Sequence, residues 1–163
     1  DSHRGESDVA TNLWKAIRVP FDAIRYGYRE LRKALFTAPR PSGTYLVAAA
    51  SVDEVEATLG RESYAPNWEF SYYERGEVLN LARVEYEAHA VEGTTYRWGQ
   101  THVRGWDHPD GVALNAHWEL EPTENANPHI DGVGFGHDRG MTNLQAVLDR
   151  SDLAYAETEI QVD

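Results

Sequence analysis

Two histidines, His102 and His117, each lie in a run where polar and apolar residues alternate, and Glu119 follows His117 by two positions. Imidazole nitrogens with a nearby carboxylate are the donor types that hold a divalent metal ion, and coordination positions left open on such an ion can activate water. Without a metal, the same groups could serve as a general base or as a contact sensitive to pH near neutrality. Whether they meet at all depends on how the strands that carry them pair.

From Val112 to Glu121, Leu114, Ala116, Trp118 and Leu120 share one face of a strand, while Asn115, His117, Glu119 and Glu121 share the other. The turn signal His108-Pro109-Asp110-Gly111 joins this strand to the one before it. A four-residue loop pairs Asp107 with Val112, which sets Val103 opposite Ala116, Thr101 opposite Trp118 and His102 opposite His117. A three-residue loop ending in a Gly111 bulge would set His102 against Trp118, so the facing pattern rejects it.

One turn earlier, a two-residue loop at Glu92-Gly93 pairs Val84 with Thr101 and Ala82 with Val103, leaving Arg83 beside His102 and Glu85 beside Gln100. A three-residue loop at Arg75-Gly76 sends Trp68, Phe70 and Tyr72 to the apolar side and Glu69 to Arg83. The polar face then carries a row of Glu69, Arg83, His102 and His117 and a row of Glu85, Gln100 and Glu119, bordered by Trp98 and Arg104. We take His102, His117, Glu119 and His129, the last in the loop just beyond, as the candidate ligands of a divalent metal ion. Arg83, Glu85, Trp98, Gln100 and Arg104 are the candidate contacts of a small ligand. The fixed charge of Arg83 argues against a metal midway between the histidines and suits an anionic substrate.

Two other uses of this face compete with a site. It could be the solvated side of a half-buried sheet, where charge pairs in register add only about a few tenths of a kcal/mol each. It could also be buried against a second copy in a homodimer, with Trp98 or Trp106 as an anchor. Against the solvated reading stands the crowding of histidine, tryptophan and arginine on a face that an acid-rich protein would fill with carboxylates. An enzyme using His102, His117 and a nearby Glu is the alternative to simple binding of a small ligand or metal.

The elements that must hold this face read as α+β. An apolar run from Thr44 to Ala50 predicts a buried strand, and Ser51 with Glu54 forms a capping box for a short helix ending near Gly60. Four strands of an antiparallel meander occupy about residues 67 to 121. A helix from Met141 to about Arg150, capped by Asp138 or Thr142, and a strand over Ala154 to Val162 complete the order. Upstream, Ala10, Trp14, Ile17, Phe21, Ile24, Tyr28, Leu31 and Leu35 fall on one stripe of a long amphipathic helix. We therefore expect a helical arm and linker over residues 1–43 and one α+β domain over 44–163, with helices packed on one sheet face. The nearest architectures are a ferredoxin-like core enlarged by a hairpin and a dimeric α+β barrel.

Composition narrows the function classes. With 163 residues the chain suits one domain with a sizeable core. Its net charge of -12 divides into +3 over residues 1–40 and -15 over the rest, and its only lysines are Lys15 and Lys33. That acidic body disfavours nucleic acid as a partner, and the Lys-poor balance is what a halophilic cytoplasm would favour. The chain has no cysteine, which excludes disulfides, thiolate zinc sites and cysteine nucleophiles. No apolar run approaches the roughly 20 residues of a membrane span, so a cytoplasmic location is the expectation. The glycine-rich loop from His129 to Gly140 lacks the preceding strand of a dinucleotide fingerprint and the Gly-Lys-Ser/Thr of a phosphate loop.

Overall fold

The computed structural model describes residues 34–67 and 73–162, together with Ala23, Ile24, Gly27, Tyr28, Glu30 and Leu31. Most of the predicted helical arm lies outside the described residues, as do Trp68, Glu69, Phe70 and Tyr72. Ala38–Asp163 is a compact unit. The elements are β1 (Thr37–Ala38), β2 (Gly43–Ala48), α1 (Val52–Arg61), β3 (Ala65–Pro66), β4 (Tyr73–Glu74), β5 (Glu77–Val91), β6 (Thr94–His108), β7 (Gly111–Leu120), α2 (Ala126–Ile130), α3 (His137–Asp149) and β8 (Tyr155–Ile160).

Six strands form an antiparallel sheet in the order β3-β5-β6-β7-β2-β8, which is open rather than a closed barrel among the described residues. The sequence reading counted β4 as the first strand of the meander. It instead belongs to a separate two-stranded ribbon with β1, where the Arg75 N–H donates to the Ala38 carbonyl. β2 sits between β7 and β8, and from Tyr45 onward it is buried on both faces: Leu46 and Ala48 join the cluster under the helices, while Tyr45 and Val47 pack with Trp106 and Ala113 on the other side.

Both longer helices lie on one face. At the start of α1, Glu54 N donates to Ser51 Oγ and Ser51 N donates to Glu54 Oε2, so the predicted capping box is present. Val55 and Leu59 of α1 and Leu144, Val147 and Leu148 of α3 pack with Leu46, Leu79, Leu81, Val103, Leu114 and Ala116 in a single apolar cluster. Each such valine or leucine contributes about 1.5–3 kcal/mol through burial. α3 starts earlier than expected, at His137, and Gly136 stands at its N-cap in place of Asp138 or Thr142. The cause is a bridge on the edge of β7, where Gly136 and Trp118 exchange both backbone hydrogen bonds and hold the chain extended up to the first helical residue. Gly140 lets α3 approach β7, because a Cβ there would come within 2.2 Å of the His117 Cα.

The pairing of β6 with β7 follows the facing pattern: His102 opposes His117, Thr101 opposes Trp118, Val103 opposes Ala116 and Asp107 opposes Val112. The pairing of β5 with β6 corrects the sequence reading. It begins at the expected two-residue turn, with Val91 opposite Thr94 and both Glu92 and Gly93 at positive φ. Between Glu85 and Ala88 the register then slips, because Tyr86 and Glu87 together face Trp98, which takes a left-handed φ of 65°. Beyond this bulge Ala82 opposes His102, Arg83 opposes Thr101 and Val84 opposes Gln100. A one-residue slip exchanges faces, so Arg83 and Glu85 turn to the helix-covered side and leave the histidine row.

Candidate metal centre

Three strands meet on the face away from the α1 and α3 cluster, and their registers fix its rows: Asn80, Arg104 and Asn115; Ala82, His102 and His117; Val84, Gln100 and Glu119. The middle of this face is as buried as the apolar one, with His102 and Gln100 each 2% exposed. The His102 and His117 rings meet edge to face with centroids 4.9 Å apart. Glu119 lies between their nitrogens: His102 Nδ1 is 3.5 Å from Oε1 and His117 Nε2 is 3.2 Å from Oε2. One donor atom from each of the three residues falls within 4.8 Å of the other two, so the group could hold a metal ion.

Neighbours hold each ligand candidate in place. Gln100 Nε2 donates to Glu119 Oε1 at 2.6 Å, and Asn80 Oδ1 lies 2.7 Å from His102 Nε2. Asn80 in turn donates from Nδ2 to Glu77 Oε1, and Arg104 donates to the other oxygen of the same carboxylate. Phe135 stacks on His117 at 4.7 Å between centroids. Burial, with Arg104 and His117 as like charges, pushes the His102 imidazole down to about 4 despite the Glu119 carboxylate beside it, so it is neutral at pH 7. Burial alone would raise Glu119, but the imidazoles of His102 and His117 outweigh it and hold the carboxyl well below its ordinary range. The centre therefore sets a carboxylate held below its ordinary range beside the His102 and His117 rings, a donor set that could hold a metal ion.

No protein-family model, curated protein or solved structure matches this chain. Among the described residues no helix is long and apolar enough to cross a membrane.

The predicted residues divide between the two faces. His102, His117, Glu119, Gln100 and Arg104 share the polar face, Gln100 orienting the carboxylate and Arg104 engaged with Glu77 and Glu74. His129 approaches from α2 rather than from the expected loop, with Nδ1 3.7 Å from Glu119 Oε2 and 2.8 Å from the Leu120 carbonyl, to which it donates. Arg83 and Glu85 instead form an ion pair of 2.7 Å on the opposite face, where the Arg83 guanidinium stands 5.2 Å from the Tyr64 ring. Trp98, at the bulge, packs on Tyr86 at 4.4 Å and takes no part in the histidine cluster. The sequence reading missed Glu77 and Asn80, because the register without the bulge carries Asn80 to the apolar face. It also missed Phe135, whose approach to His117 depends on the Trp118–Gly136 bridge, for which the sequence has no local signal.

Proposed function

We propose that this protein binds a divalent transition-metal ion of the zinc class through His102 Nδ1, His117 Nε2 and the Glu119 carboxylate. The observation that carries the reading is the spacing of the donors. In a tetrahedral site with bonds of about 2.0–2.1 Å, neighbouring donor atoms stand about 3.3–3.4 Å apart. His102 Nδ1 stands 3.5 Å from Glu119 Oε1 and His117 Nε2 3.2 Å from Oε2, either side of that value, and one donor atom from each of the three residues lies within 4.8 Å of the other two. Charge-assisted hydrogen bonds would draw the same atoms to about 2.7–2.9 Å. A mixed imidazole and carboxylate set suits zinc and its transition-metal neighbours better than calcium or magnesium.

Three protein ligands leave one coordination position, and the partial exposure of His117 and Glu119 favours its opening toward solvent. A small ligand would bind there, which unites the metal-binding and ligand-binding readings in one site. The strand order β8-β2-β7-β6, with α1 and α3 as the intervening helices, supports a ferredoxin-like core extended by β5 and β3.

The test is metal content after dialysis against zinc, together with the unfolding temperature with and without zinc, for the native chain and for the double variant His102→Ala with His117→Ala. One zinc per native chain, a zinc-dependent rise in unfolding temperature and the loss of both in the variant are expected. No retained metal and no difference between the two proteins would overturn the proposal.

A further inference from the structure

We infer that Asn80, held by Glu77, is the positioning residue that decides which nitrogen of His102 faces the cation, an inference that rests on the metal-binding reading above. The Glu77 carboxylate can only accept, its side chain is 2% exposed, and Asn80 Nδ2 donates to it at 3.1 Å. That bond fixes the orientation of the Asn80 amide and turns its oxygen toward His102 Nε2 at 2.7 Å. An amide oxygen has no proton to give, so Nε2 carries the proton and donates. An imidazole that holds a cation carries one N–H, and with Nε2 taken Nδ1 is the nitrogen left with its lone pair.

That lone pair faces Glu119 Oε1, itself an acceptor, across 3.5 Å. Two acceptors turned toward each other, Oε1 also accepting from Gln100 Nε2, are the geometry of two ligands of one ion. Arg104 anchors the far end by donating to the second oxygen of Glu77, so an ordered series of Arg104, Glu77, Asn80 and His102 runs between β5 and β6 up to the donor atom. With the proton on Nδ1 instead, His102 would donate to Glu119, and Nδ1 would have no lone pair for a cation.

The experiment reads the His102 tautomer and zinc affinity separately. In the metal-free protein, long-range proton–nitrogen correlation NMR of the imidazoles distinguishes Nδ1–H from Nε2–H, and competition with a chromophoric chelator gives the zinc dissociation constant. Native His102 is expected as the Nε2–H form. Asn80→Leu, which keeps the volume and removes the acceptor, should move the proton toward Nδ1 and weaken zinc binding by about 10–100-fold. The paired exchange Glu77→Gln with Asn80→Asp restores an acceptor opposite Nε2 and should recover both readouts. Zinc binding by the native chain with an unaltered tautomer and unaltered affinity in Asn80→Leu would overturn the inference and leave the metal reading intact. The expected tautomer shift in a chain that binds no zinc would instead overturn the metal reading. If Asn80→Leu fails to fold, the native spectrum still decides, because an Nδ1–H form of His102 in the metal-free protein would overturn the inference by itself.

Discussion

The two faces of the central sheet are both shielded from water at their middle and are built from different materials there. Behind α1 and α3, Leu46, Val103, Leu114, Ala116, Leu144 and Leu148 form a dry cluster whose contribution comes from the area it removes from water. On the other face Gln100, His102 and Arg104 are also buried, and each is engaged by a specific polar partner, respectively Glu119, Asn80 and Glu77. Leaving such a group unpaired would cost about 1–3 kcal/mol, and pairing it returns little beyond that cost. Replacing a buried polar pair by apolar groups of the same shape is often neutral or stabilising. The helix-covered face is thus built for stability, and the opposite one holds particular atoms at particular distances.

The contrast can be broken most forcefully from the apolar side. Leu114→Ala should lower stability by about 2–5 kcal/mol in urea unfolding, by the same amount with zinc as with chelator. A cost that changed with zinc would mean that the two faces are not independent.

The next effect belongs to the polar face alone. The His102 pKa is depressed in the folded chain to about 4, from an ordinary value near 6.5. Its contribution to stability is therefore full above the unfolded value and is lost as pH falls from about 6.5 toward 4. The loss should approach about 3 kcal/mol as an upper limit in metal-free protein, and His102→Gln should flatten that part of the pH profile. Zinc should protect the native chain over the upper part of this range, because the ion competes with the proton for Nδ1.

The smallest effect tests the bulge. Because Arg83 lies on the helix-covered side, partly exposed and paired with Glu85, Arg83→Ala should cost about 1 kcal/mol and leave zinc affinity unchanged. A marked loss of zinc binding in this variant would restore Arg83 to the histidine row.

How much of this was legible in the sequence also divides along a strand. The β6–β7 hairpin was readable from the turn at Pro109-Asp110 through to Glu119, since alternation on both strands admits one register and nothing interrupts it. His102, His117, Glu119 and Gln100 were found for that reason. On the other side of β6 the turn was read correctly, yet the pattern of alternation could not reveal an extra residue at Tyr86-Glu87, because the strained position opposite it is a tryptophan where a glycine would have signalled it. That one residue misplaced Arg83 and Glu85 and hid Asn80. The start of α3 escaped for a different reason: Gly136 caps it through a bridge to β7, a long-range contact that overrides the local preference for Asp138 or Thr142.

The central claim is that two imidazoles and one carboxylate form a single ligand set, and X-ray absorption of the zinc-loaded protein measures that set directly. A first shell of nitrogen and oxygen at about 2.0–2.1 Å is expected, with the multiple-scattering pattern of two imidazoles, reduced to one in His117→Gln. A shell of oxygen alone, or one whose imidazole count is unchanged by that substitution, would contradict it.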